Sequence, residues 1–144
     1  MDVHRSALVP YSAQQMFDLV NDIEAYSLFL PWCRSSEVLS QSDAEIRARV
    51  EIAAGPLNQS FVTRNSLIRG ESIQMKLEKG PFSRLDGYWR FESLQAQGCK
   101  VSLELHFDFP NFMMRVTMTP MFNQIANTLV DAFVQRARIV YAEK

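Results

Sequence analysis

The residues that most often carry catalysis are few in this sequence and far apart. His4 and His106 lie on separate predicted strands, and neither has an H-x-x-x-H or C-x-x-C partner nearby. Cys33 and Cys99 are the only cysteines, and Cys33, with no His or Asn partner close in sequence, is interpreted as a buried structural thiol. G-x-S-x-G, Walker and G-x-G-x-x-G motifs are absent. We therefore expect no catalytic residue, no metal site, no required cofactor and no enzymatic activity.

Large apolar side chains are abundant in the sequence, and such side chains can bind an apolar molecule. The 144 residues include 10 Phe, 7 Met and 2 Trp. Such side chains line small-molecule pockets, but they also fill ordinary cores. The choice between these two interpretations depends on the elements that position the side chains.

Charge and hydropathy restrict the partners and the compartment. The net charge of −1 provides no basic field for binding DNA. The first ten residues include Asp2, His4 and Arg5 and therefore do not resemble a signal peptide. No uninterrupted apolar run reaches the ~18 residues needed for stable membrane insertion. We expect a cytoplasmic protein and a single domain over residues 1–144.

The N-terminal region predicts one strand and two short helices. Residues 2–9 read as a strand, and Ser12 with Gln15 three positions later forms a capping box that starts a helix. Asp22 stands before a second apolar segment that ends near Phe29. Its carboxylate is a candidate general base, but its position favours a helix N-cap.

Residues 33–109 alternate between apolar and polar with a period of two, which predicts an antiparallel meander covered on one face. Gly-Pro pairs at 55–56 and 80–81 mark turns between strands. On the predicted concave face we place Phe61, Met75, Leu77, Leu85, Trp89, Phe91, Leu105 and Phe107.

The cover for this face is a helical stripe near the C-terminus. Its members are Phe122, Ile125, Ala126, Leu129, Val130, Phe133, Val134, Ala137 and Val140. Pro120 suits the first turn of this helix, or a kink if the helix begins nearer Phe112. The predicted fold class is α+β: a curved antiparallel sheet of about six or seven strands, two short helices after strand 1, and a long C-terminal helix in the curve of the sheet.

Three segments carry a family resemblance. Residues 20–33 resemble the V-x-D-x-x-x-Y-x-x-F-x-P-x-C block of the coenzyme Q-binding, COQ10-like branch of the polyketide cyclase/START-like superfamily. Residues 80–91 and 122–137 resemble two further blocks of the same branch. Bacterial members of this size are similar to ribosome association toxins. The resemblance implies the helix-grip (START/Bet v 1-like) fold.

This resemblance implies two functions. One is non-catalytic binding of ubiquinone or a related polyprenyl lipid in support of cellular respiration. The other is binding to the large ribosomal subunit, which blocks its association with the small subunit and inhibits translation. A cyclase- or aromatase-like enzyme is a third alternative that rests on superfamily membership alone. We rank the binding of an apolar ligand first because the predicted fold also favours it.

Each of the two binding functions has its own candidate residues. For the apolar ligand they are Tyr26, Phe29, Trp32, Phe61, Met75, Leu85, Trp89, Phe91, Phe107, Phe122, Ile125, Leu129 and Phe133. Tyr26, Thr63, Asn65 and Arg5 are candidate polar contacts by residue type. For the ribosome the candidates are Arg47, Arg49, Arg64 and Arg90, which fall on the outward phase of their strands. Cross-strand ion pairing with neighbouring glutamates is the alternative role of these arginines.

Overall fold

A computed structural model describes residues 1–95 and 98–142 of the chain. Seven strands precede one long helix, and two short helices separate the first strand from the second. The elements are β1 (Asp2–Val9), α1 (Ala13–Asn21), a 3-10 helix (Ile23–Leu28), β2 (Cys33–Gln41), β3 (Glu45–Ala54), β4 (Leu57–Ile68), β5 (Ser72–Lys79), β6 (Arg84–Ser93), β7 (Cys99–Asp108) and α2 (Phe112–Val140).

The strands form one curved antiparallel sheet in the order β1-β7-β6-β5-β4-β3-β2. Strands β2 to β7 follow one another as a meander, and β1 pairs with β7 at the far edge. Helix α2 packs on the concave face, with contacts to β1, β4, β7 and α1. The predicted fold class and its element order are confirmed.

Local sequence accounts for the start of α1. The Ser12 hydroxyl oxygen accepts a hydrogen bond from the Gln15 backbone N–H at 3.0 Å, and the Gln15 side-chain oxygen accepts one from the Ser12 N–H at 2.9 Å. This capping box satisfies two N–H groups that the first turn leaves free. Met16 and Phe17, both 0% exposed, attach the helix to the core.

The 3-10 helix begins differently from the prediction. Asp22 occupies the N-cap position, but its side chain makes no capping hydrogen bond. Its ψ of 70° departs from the extended backbone that aims a capping carboxylate at the following N–H groups. The Asp22 carbonyl oxygen instead accepts from the Ala25 N–H at 3.1 Å. The expected side-chain cap is therefore wrong, and the turn is closed by backbone.

Helix α2 begins at Phe112, so Pro120 lies inside it. Asn111 caps it, with its side-chain oxygen 2.9 Å from the Met114 N–H. The apolar stripe is buried or partly buried as far as Ala137, but Val140 is 46% exposed. The prediction that Val140 belongs to the stripe is therefore wrong. The helix has by then passed its last buried contact, and the next residue, Tyr141, donates through its hydroxyl to the Gln15 carbonyl at 2.8 Å.

None of the helices within the described ranges combines the length and hydropathy of a membrane-spanning segment.

Candidate functional site

An apolar cavity of about 90 Å³ lies between the concave face of the sheet and α2. Strands β3 to β7 form its floor, α2 forms its roof, and Ile23, Tyr26 and Trp32, in and just after the 3-10 helix, complete the wall. Ten of the thirteen predicted ligand-binding residues lie in its wall: Tyr26, Trp32, Phe61, Met75, Leu85, Trp89, Phe122, Ile125, Leu129 and Phe133. Their role in binding stays a prediction.

The other three predicted residues lie behind the wall. Phe29 packs edge-on against Phe133, with ring centroids 5.3 Å apart. Phe91 lies parallel to Trp89 at 6.2 Å, and Phe107 meets Phe122 at 4.6 Å. These rings support wall residues and do not line the cavity.

Several wall residues were not among the predicted contacts. Ala48 on β3 and Ala126 on α2 are 2% and 0% exposed. Their small side chains leave free volume that a larger residue would fill, because protein interiors are otherwise close-packed. The remaining wall residues outside the predicted contacts are Ile23, Val50, Ile52 and Leu105, of which Leu105 was placed on the predicted concave face. The sequence prediction favoured large aromatic side chains and therefore missed Ala48 and Ala126, which contribute the space that their small side chains leave free.

Tyr26 is a residue of the cavity wall that a hydrogen bond holds in place. Its hydroxyl donates to the Val20 carbonyl oxygen, and its ring meets that of Phe133 edge-on at 5.4 Å. Burial, with smaller contributions from Cys33 and Asp22, raises the pKa of Tyr26. The phenol is therefore neutral, and its one donor is already used.

The 3-10 helix that carries Tyr26 is attached to the edge strand β2. The Ser36 hydroxyl donates to the Ile23 carbonyl oxygen at 2.7 Å. The Val38 backbone N–H donates to a Glu24 carboxylate oxygen at 3.2 Å. These bonds satisfy polar groups on both elements and hold in place the part of the cavity wall that the 3-10 helix supplies.

Asn65 and Thr63 supply polar side chains within the wall, on the same face of β4. Asn65 is only 5% exposed, and its Oδ1 has no hydrogen-bond partner within the described part of the chain. An unsatisfied buried amide oxygen costs about 1–3 kcal/mol. Arg5, the remaining polar candidate, does not reach the cavity, because its Nε donates to the Asn127 side-chain oxygen at 2.9 Å on an exposed surface.

The outer face of the sheet carries the four candidate ribosome-contact arginines, and each of them is ion-paired. Glu78 binds Arg47 and also lies 3.3 Å from Arg64, and the hydrogen bond from Arg47 lowers the pKa of Glu78 to about 2. The other pairs are Arg49 with Glu37, Arg64 with Glu45 at 3.1 Å, and Arg90 with Glu92 at 3.7 Å. This face therefore presents arginines and glutamates in alternation and not a field of one sign.

The remaining chemically active side chains are dispersed. The His106 Nδ1 lies 2.8 Å from Asp2, whereas His4 is exposed on β1. Cys33 and Cys99 are both buried and free, and burial raises the pKa of Cys99 to about 11, which keeps it a thiol. Within residues 1–95 and 98–142, no three His, Cys, Asp or Glu side chains are grouped as metal ligands would be.

Comparison with known proteins decides the family. The sequence model of the family described as polyketide cyclase/dehydrase and lipid transport matches residues 9–134. The chain belongs to this family. Among solved structures, members of this fold include the ZhuI aromatase/cyclase of Streptomyces sp. R1128 (TM-score 0.86, 17% identity, 99% of this chain and 96% of that one). Another is a START superfamily protein of Mycobacterium smegmatis (TM-score 0.81, 16% identity, 96% of this chain and 98% of that one). At these identities the likeness concerns the fold alone.

Sequence relatives within the family are closer. The chain is 50% identical to a protein named ribosome association toxin RatA from Pseudomonas aeruginosa, over 96% of both chains. It is 38% identical to RatA of Escherichia coli, over 99% of this chain and 90% of that one. It is 26% identical to the mitochondrial coenzyme Q-binding protein COQ10 homolog B of Xenopus laevis, over 100% of this chain and 61% of that one. The branch of the family predicted from the three sequence blocks is confirmed.

Proposed function

We propose that this protein binds the large ribosomal subunit in the cytoplasm and prevents its association with the small subunit. The observation that carries this proposal is the 50% identity, across 96% of both chains, to a protein named for ribosome association. The sequence analysis ranked the binding of an apolar ligand first. The relatives give more support to the alternative, because those at 38–50% identity carry the toxin name and the coenzyme Q-binding relative is at 26%.

The contact surface in this proposal is the outer face that carries Arg47, Arg49, Arg64 and Arg90. Guanidinium groups bind phosphate oxygens in a bidentate manner, but here each arginine already has a carboxylate partner. Mixed signs give weak non-specific attraction to RNA. The arrangement favours a site matched in shape and charge pattern, on ribosomal protein or on a defined RNA fold.

Sucrose-gradient sedimentation tests the proposal. Purified protein is added to separated subunits before magnesium-driven reassociation. We expect it to sediment with the large subunit and to lower the fraction of intact ribosomes in proportion to its concentration. An unchanged gradient profile, with the protein remaining at the top, would contradict the proposal.

A second function, binding of an apolar guest, is supported by the cavity itself. Its wall is almost entirely apolar, and burying each CH₂ group of a guest contributes about 0.8 kcal/mol. Ubiquinone or a polyprenyl lipid, bound in support of respiration, is the specific guest that we propose. The cavity of about 90 Å³ is smaller than the roughly 300–1,000 Å³ of drug-sized sites. A guest of this kind therefore requires Met75 or Leu129, both partly exposed wall residues, to move aside.

Ligand extraction and a cavity-filling variant test this second function. We expect organic extracts of the purified protein to contain an isoprenoid compound by mass spectrometry, and short-chain quinones to bind on titration. Leu129→Phe places extra volume in the cavity and should abolish uptake, whereas Val116→Phe, on an exposed position of the same helix, should not. Absence of both extracted compound and titratable binding would remove this function. If the wild-type protein binds a guest and Leu129→Phe does not, ribosome binding retained by Leu129→Phe would show that the two functions are separate.

Both proposed functions are non-catalytic. The curated relatives are named as toxins or as coenzyme Q-binding proteins, and the likeness to an aromatase/cyclase is at 17% identity. Neither thiol is poised as a nucleophile, since both are buried with raised pKa values.

A further inference from the structure

Asn65 is a polar side chain where the surroundings are apolar. It lies on β4 between Ile46 of β3 and Met75 of β5, its register partners on either side. Its Oδ1 is buried and accepts no hydrogen bond from any described residue. Buried polar groups in folded proteins are nearly always paired, so an unpaired amide oxygen in a cavity wall indicates a partner that is not part of the protein.

We propose that Asn65 is the polar anchor of the cavity and that its guest is a neutral apolar molecule bearing a hydroxyl group, as in polyprenyl alcohols, phenols and the reduced (quinol) form of ubiquinone. The guest hydroxyl donates its hydrogen bond to Asn65 Oδ1, and the hydrocarbon part contacts Trp89 and Phe133. This inference rests on the second proposed function, the binding of an apolar guest, and defines the chemistry of that guest.

The wall chemistry excludes charged guests. None of the described residues that line the cavity is charged, so an ammonium or carboxylate group would be buried without a counter-ion, which is strongly unfavourable. The Tyr26 hydroxyl is already committed to the Val20 carbonyl oxygen. What the wall offers a guest is the side-chain amide of Asn65, whose Oδ1 has no partner among the described residues, with the Thr63 side chain two residues away on the same face.

Met75 controls access to Asn65. The two residues face each other in register, and directly opposed side chains in an antiparallel pair have Cβ atoms about 5 Å apart. A methionine side chain has three flexible torsions and adapts readily to a guest. Turning it aside uncovers the Asn65 amide and enlarges the cavity of about 90 Å³ toward the ~150 Å³ that holds one benzene ring in an engineered apolar cavity.

The test compares p-cresol with p-xylene, which have nearly the same shape and differ by a hydroxyl in place of a methyl group. NMR-detected titrations of the wild-type protein should show saturable binding of both. Only p-cresol should shift the side-chain amide resonances of Asn65. If neither compound binds, both the proposed binding of an apolar guest and this inference about Asn65 are wrong. If both bind and the Asn65 resonances respond equally, the cavity remains a binding site but Asn65 is not its anchor.

The variant Asn65→Leu separates the hydroxyl from the hydrocarbon. We expect it to weaken p-cresol binding by about tenfold and to leave p-xylene within about threefold, because an unpaired hydroxyl in an apolar cavity loses the hydrogen bonds it makes in water. Asn21→Leu is the matched control, because Asn21 has the other unpartnered Oδ1 among the described residues and lies outside the cavity. It should change neither affinity. If Asn65→Leu weakens the binding of p-cresol and p-xylene equally, Asn65 is not the anchor of the hydroxyl group. If this variant does not fold, the NMR titration of the wild-type protein tests the role of Asn65 instead.

Discussion

Met75 on β5 and Gly87 on β6 are register partners, and the Met75 methyl group occupies the space that a side chain at position 87 would need. A Cβ atom on Gly87 would lie 2.6 Å from Met75 Cε and 2.8 Å from Leu105 Cδ1. The glycine therefore leaves room for the methionine to extend over the neighbouring strand, beside Leu105 of the cavity wall. Because Met75 and Leu105 both line the cavity, a side chain at position 87 would change the shape of the cavity.

Gly87→Ala should close the cavity at a small cost in stability. Both clashing atoms are free ends of flexible side chains, so we expect a loss of about 1 kcal/mol, at the lower end of the usual cost of overpacking. The displaced Met75 methyl group should turn into the cavity and reduce guest affinity by about tenfold. Denaturant unfolding and the p-cresol titration measure the two effects.

The double variant Gly87→Ala/Met75→Ala provides the control for this mechanism. Removing the methionine side chain should restore guest binding, and the two substitutions should be strongly non-additive because they share one contact. Guest affinity that stays low in the double variant would mean that Met75 is not the side chain that closes the cavity.

Tyr26→Phe should destabilise the fold without removing a wall of the cavity. The substitution keeps the ring between Phe29 and Phe133 but leaves the Val20 carbonyl without its hydroxyl donor. We expect a loss of about 1–2 kcal/mol in the free energy of unfolding. Tyr88→Phe, on the half-exposed outer phase of β6, is the comparison and should change stability little. Equal effects of the two variants would show that the Tyr26 hydrogen bond adds nothing.

A structural feature can be predicted from the sequence when the residues that determine it lie close together along the chain. Ser12 and Gln15 are three residues apart, so the start of α1 follows from local rules. The alternation along β3 to β7 predicts the two faces of the sheet because each strand carries its own period. The cavity is different, since Ala48 and Ala126 leave space only once β3 and α2 are brought together.

The same reasoning applies to individual side chains at the site. Asn65 was a polar candidate by type, but its unpaired oxygen is visible only when its neighbours on three strands are known. Arg5 was equally plausible by type, and its partner Asn127 is 122 residues away in sequence. The start of α2 at Phe112 was left open because Pro120 is compatible with two helix lengths.

The stability of the outer face should depend on acidic pH through Glu78. Its pKa in the folded protein is lowered to about 2, chiefly by the hydrogen bond from Arg47, whereas an ordinary glutamate titrates near 4.5. A carboxyl group with a lowered folded pKa contributes stability above its unfolded pKa and loses that contribution as the pH falls through the folded value. We expect this contribution to be complete above pH 4.5 and to disappear toward pH 2.

Glu78→Gln tests that dependence. The unfolding free energies of wild type and variant should differ at neutral pH and converge between pH 4.5 and 2. Glu104→Gln is the control, because it removes an exposed carboxylate for which the described residues provide no arginine partner. The unfolding free energies of this variant and wild type should not converge over the same pH range. A constant difference between wild type and Glu78→Gln across this range would contradict the assigned role of Glu78.

The paired arginines of the outer face allow a direct test of that surface as the ribosome contact. Arg90 and Glu92 lie 3.7 Å apart, with side chains 57% and 51% exposed, and exposed ion pairs of this kind contribute about 0–1 kcal/mol to stability. Both residues can therefore be changed without loss of the fold. If Arg90 binds ribosomal phosphate, Glu92 competes for it. We expect Arg90→Gln to weaken sedimentation with the large subunit and to reduce its salt dependence, and Glu92→Gln to strengthen sedimentation. Changes of the same sign in both variants would indicate a general effect on the protein, and no change in either would place the contact on another surface.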